Sequence, residues 1–94
     1  MPFDAEPAPI SRDKLILQKA RDDLVDNWAQ GSPLIRPAGT LCLIQAIVGL
    51  DEKVGHLVAL LGFRSVTEAW MWNDTPGRTK AEVLARFDEA IARA

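Results

Sequence analysis

The chain has 94 residues, 48% of them apolar and 26% charged, with a formal charge of −2; this is the composition of one small globular domain with a thin core. A single cysteine excludes an internal disulfide and a cysteine-rich zinc cluster, and suits a reducing compartment. The mild acidity, with basic residues scattered along the chain, argues against nucleic-acid binding, which needs a basic surface to displace phosphate counterions.

Residues 1–10 hold three of the six prolines, and a residue before proline avoids helical angles, so a flexible arm is expected there. Its acidic, proline-broken start lacks the basic-then-apolar order of an export signal, and a cytoplasmic location is the expectation. Ser11 is predicted to cap a first helix with Asp13 at its positive end. Leu17, Ala20, Leu24 and Trp28, widened by Val25, make its apolar stripe, and Gly31 is expected to stop it. Residues 31–39 read as a loop, pinned to the core by Leu34 and Ile35.

Thr40 is expected to cap a second helix over 41–48. That segment is apolar almost all round apart from Gln45, the mark of a buried central helix; a buried strand is the alternative on length alone. The apolar run 41–50 is too short to cross a bilayer. Asp51 is predicted to cap a third helix whose buried face is Val54, Leu57, Val58 and Leu61, ended by Gly62. Ser65 and Glu68 have capping-box spacing for a short helix over 66–71. Thr75-Pro76-Gly77-Arg78 fits a type II turn, with proline fixing the second position and glycine the third. Thr79 and Glu82 form a second capping box. The last helix then places Val83, Phe87, Ala90, Ile91 and Ala94 inward, with Glu82–Arg86 and Glu89–Arg93 pairs on the solvated side.

No residue set nominates a catalytic centre. Cys42 lies near a helix start, where the macrodipole favours a thiolate, but His56, its sole candidate base, falls on the solvent side of the third helix. Cys42 is therefore expected to be a packing residue. The histidine, the cysteine and scattered carboxylates give no spacing that converges on a metal, and no phosphate loop is present. The segment from Trp70 to Thr79 is more informative. Two residues apart on a helix, Trp70 and Trp72 diverge, so one is expected in the core and the other partly exposed. Asn73 and Asp74 suit a turn, where Asp74 would pair with Arg78. The functional alternative has Arg78 and the amides of the next helix start holding an anion against a tryptophan wall.

The runs Gly39-Thr40-Leu41-Cys42-Leu43-Ile44-Gln45-Ala46-Ile47 and Trp72-Asn73-Asp74-Thr75-Pro76-Gly77-Arg78-Thr79, followed by Glu82-Val83-Leu84, resemble an uncharacterised group of small proteins in actinobacteria, other bacteria and their phages. Members similarly carry a tryptophan at the end of the first helix, here Trp28. The resemblance covers about residues 15–92, and departs at Gln45, where the group tends to have glycine, and in the proline-rich arm. It implies a fold and a genomic setting rather than a reaction.

The expectation is an all-α, single-domain bundle of about five helices with a buried central helix, occupying residues 11–94 behind the arm at 1–10. The expected role is a small intracellular interaction module, self-associating or binding a protein partner through Trp70, Trp72, Asn73, Asp74 and Arg78. In a phage or mobile-element setting, which the resemblance allows, it would be a regulator or inhibitor of a host system. The alternative is an anion-binding, small-ligand or catalytic domain built on the turn at 72–78. No cofactor, metal, nucleic acid or membrane partner is implied.

Overall fold

The ends of the helices explain most of the architecture. The computed structural model describes residues 11–31, 34, 36–50 and 53–94, and within them the chain winds into α1 (Arg12–Asn27), α2 (Leu43–Val48), α3 (Val54–Leu60), α4 (Val66–Asn73) and α5 (Lys80–Arg93). Among the described residues there is no strand, only an isolated parallel bridge between Trp28 and Leu41. The fold is the expected all-α bundle. The arm at 1–10, Ile35 and Asp51 lie outside the described residues.

α1 starts where Ser11 Oγ accepts the amide of Lys14 at 3.1 Å, and buries Ile16, Leu17, Ala20 and Leu24. It does not run on to Gly31. Trp28 already has extended angles, because the backbone there pairs with the approach to α2. Leu41 donates to Asn27 O at 2.7 Å and Ala29 donates to Leu41 O at 3.0 Å. This pairing also displaces the expected start of α2. Thr40 does not cap the helix; its hydroxyl donates to Pro37 O. Cys42 takes that position, and its Sγ accepts the amide of Gln45 at 3.5 Å.

α2 buries Leu43, Ala46 and Ile47 and packs against α1, α3 and α4. It is central, but Val48 faces solvent. Leu34, expected to pin the preceding loop, is 94% exposed and pins nothing.

α3 has Lys53 at its cap position and buries Leu57 and Val58, followed by Leu61 and Phe63. It closes at Gly62 (φ +94°) by the paired bonds of a left-handed cap: Phe63 donates to Val58 O and Gly62 to Ala59 O, both at 3.0 Å. The next two carbonyls are satisfied from α5. Arg93 Nη2 donates to Leu60 O and Arg86 Nη1 to Leu61 O, each at 2.9 Å. The expected Glu82–Arg86 and Glu89–Arg93 surface pairs therefore give way to arginines that reach across to the negative end of α3.

α4 runs two residues further than expected. Ser65 Oγ accepts Glu68 N, while the Glu68 carboxylate accepts from Arg64 N rather than completing a box with Ser65. α5 carries the full capping box of Thr79 and Glu82 and buries Val83, Phe87 and Ala90 against α1. Arg21 of α1 and Asp88 of α5 add an ion pair at 2.6 Å. The hydrogen bond that Arg21 donates to Asp88 raises the pKa of Arg21, against the lesser opposing effect of desolvation.

Candidate functional site

The tryptophan-rich corner is built around Asn73, the last residue of α4 and the one buried polar side chain among the described residues, at 0% exposure. Its Oδ1 accepts the indole N–H of Trp28 at 2.7 Å and the backbone amide of Leu43 at 3.2 Å. Its Nδ2 donates to Asp74 Oδ1 at 3.0 Å and to Ala29 O at 3.5 Å. Both acceptor sites and both donors of the amide are used. One side chain at the end of α4 thus caps the start of α2 and holds the indole that follows α1. Asn73 was expected in a turn and on a contact surface. It is sealed, so it touches no ligand arriving from solvent.

The remaining residues of the segment close the end of α4. Trp70 O accepts Asp74 N, Met71 O accepts the Thr75 hydroxyl, Trp72 O accepts Arg78 Nε, and Asn73 O accepts Gln30 Nε2. All four carbonyls that a helix end leaves open are matched. Gln30 Nε2 also donates to Thr75 O at 2.6 Å, and Gly31 N donates to Asp74 Oδ1 at 2.9 Å. Asp74 therefore binds the chain leaving α1 and does not pair with Arg78. Arg78 N donates to Thr75 O at 3.0 Å across Gly77 (φ +86°), consistent with a type II turn.

Arg78 is committed as well. Its guanidinium carbon lies 4.1 Å from the centroid of Trp72, Nε is on Trp72 O, and Nη1 donates to Glu82 Oε2 at 2.9 Å. Glu82 in turn accepts from Thr79 N and Thr79 Oγ1. These bonds from Thr79, ahead of Arg78, hold its carboxyl below the ordinary value of 4.5. The place of the anion in the alternative reading of this helix start is taken by a carboxylate of the chain itself, that of Glu82. Arg86 stacks over Phe63 at 4.5 Å and reaches Trp72 at 5.0 Å, while Phe63 and Trp72 meet at 5.4 Å. Trp72 is thus the packed indole.

Trp70 is the open one. It is 47% exposed, and its neighbour Met71 is 69% exposed. Cys42 is buried and serves as a cap, while His56 is bonded to Asp13 Oδ2 at 2.8 Å, so the two have different partners. Among the described residues there is no group of metal-binding side chains and no helix long and apolar enough to cross a membrane.

Trp28 and Gln30 were not predicted as part of this corner. Trp28 read as the end of an apolar stripe; only its indole N–H, which needs a partner when buried, hinted at more. A family model matches residues 10–93, that of a family of unknown function, DUF6197. No curated protein and no solved structure matches the chain.

Proposed function

The chain belongs to DUF6197, a family of unknown function, and on its own geometry we propose that it is a small protein-interaction module whose contact face is the outer side of α4. The observation that carries this is the division of the corner. Asn73, Trp72 and Arg78 are spent on holding it together, while Trp70 and Met71 stand exposed beside them. An exposed tryptophan on a rigid support is the kind of anchor that dominates protein interfaces. Arg78 supports that surface through Trp72 and is not itself the contact.

A second copy is the first partner to test, because association adds stability to a thin core by mass action. In a phage or mobile-element setting, the module would act as a regulator or inhibitor of a host system. Sedimentation velocity over a range of concentrations tests self-association. Trp70→Ala should shift a self-associating chain to monomer without loss of helicity. A chain that is monomeric throughout, and whose captured partners are the same with and without Trp70, contradicts the proposal.

The anion-binding alternative at 72–78 has less support, since Arg78 already faces Glu82.

A further inference from the structure

Beside Trp70 lies a hollow of about 170 Å³ lined by Arg36, Cys42, Ile44, Gln45 and Trp70. Its walls are an indole, a branched aliphatic side chain and a thiol, so water gains little there. A cavity of roughly 150 Å³ with apolar walls is large enough to take up benzene.

The polar edge of the hollow has one unusual member. Arg36 Nη1 donates to Gly31 O at 2.5 Å and Nη2 donates to Gln45 Oε1. Both acceptors are neutral. Arg36 Nε is buried and has no hydrogen-bond partner among the described residues. Arg78 and Arg21 meet the carboxylates of Glu82 and Asp88; Arg86 and Arg93 meet carbonyls, as Arg36 does, but among the described residues Arg36 is the one that leaves a buried N–H without a partner. Arg36 therefore lines the side of an apolar hollow with a guanidinium whose hydrogen-bond acceptors among the described residues are dipoles and whose Nε–H is buried and unused. Buried polar groups are normally paired, and an orphan donor asks for an acceptor.

We propose that this hollow binds a small carboxylate with an apolar body. The carboxylate accepts from Arg36, and the body lies between Trp70, Ile44 and Cys42 Sγ. Charge complementarity selects an anion, and the apolar walls select against a fully hydrated one such as inorganic phosphate. The volume limits the body to about one aromatic ring or a short branched chain. The inference does not depend on the protein-contact proposal, although both use Trp70. Changes at Met71 separate them, since Met71 does not line the hollow.

The test is titration of the full chain with phenylacetate, followed through the Trp70 indole resonance, with phenylacetamide as the neutral isostere and inorganic phosphate as the hydrated anion. Saturable binding of phenylacetate is expected, at least tenfold weaker for phenylacetamide and absent for phosphate. Arg36→Gln should weaken it at least tenfold. Ile44→Trp, which fills the hollow, should abolish it, and bound phenylacetate should slow modification of Cys42 by a small thiol reagent. Equal affinity for the amide overturns the proposal, as does the absence of saturable binding by phenylacetate, benzoate and isovalerate. If Ile44→Trp fails to fold, undiminished binding in a folded Arg36→Gln overturns it equally.

Discussion

Trp28 donates its indole N–H to the side-chain carbonyl of Asn73 over 2.7 Å, joining the ends of α1 and α4 across 45 residues of sequence. The same oxygen accepts the first amide of α2, so three helix ends meet on one buried side chain. Removing it would strand an indole donor, a backbone amide and a carbonyl.

Asn73→Ala is therefore expected to cost about 3 kcal/mol, each unsatisfied buried group contributing roughly 1–3 kcal/mol. In a domain of this size that lowers the melting temperature by about 12–24 °C. Asn73→Asp keeps the acceptors but loses the donors to Ala29 and Asp74 and places a second carboxylate beside Asp74. It should be at least as damaging near neutral pH and should recover in part under acid. Calorimetry of both variants at two pH values is the check.

Gly62 carries two constraints at once. Its φ is +94°, and a Cβ there would lie 2.8 Å from Arg86 Nη1, which is bonded to Leu61 O. Gly62→Ala is expected to destabilise by about 1–2 kcal/mol through the left-handed backbone alone, plus the displacement of Arg86. Gly39 has a similar φ of +84° with open space around it, so Gly39→Ala should cost less. Chemical denaturation that ranks the two in the opposite order would contradict this geometry.

Glu82 gives the start of α5 a pH dependence. Its folded pKa is depressed, chiefly by the hydrogen bonds from Thr79 and next by Arg78. Its contribution is therefore fully present above the ordinary value of 4.5 and is lost as pH falls through the lower folded value. Wild type and Glu82→Gln should differ by a constant amount at neutral pH, and the gap should close below that range. Melting temperatures of both proteins across an acid series would show it.

Arg78 should behave as a structural residue. Its stack on Trp72 and its bond to Trp72 O are both lost in Arg78→Ala, at an expected cost of about 1–2 kcal/mol. Arg78→Lys keeps the charge without the planar fork and should recover only part of it. Equilibrium denaturation measures this, and an unchanged midpoint for Arg78→Ala would place the guanidinium elsewhere.

Local signals in the sequence marked most of the fold correctly. Ser11, Gly62, the Pro76-Gly77 turn and the Thr79–Glu82 box act through bonds to near neighbours, so their spacing alone is informative. What was not legible acts over long separations. Asn73 has the composition of a turn residue, and nothing local says that its partners are Trp28, Ala29 and Leu43. Arg86 and Arg93 sit at ideal spacing from Glu82 and Glu89, yet the carbonyls at the end of α3 outcompete those carboxylates. Trp28 leaves the helix early because Leu41 pairs with the backbone on either side of it. For the site, the split between an exposed and a packed tryptophan followed from helical geometry. The roles of Arg36 and Gln30 did not, since each depends on which helix ends the fold brings near.

The division of the corner into a sealed lock and an open face is tested most directly by hydrogen exchange at the indole N–H groups. Trp28 should exchange only through global unfolding, slowed by several orders of magnitude, while Trp70 exchanges freely. Exchange of Trp28 at the rate of Trp70 would mean that Asn73 does not hold the three helix ends, and the account of this corner would fail.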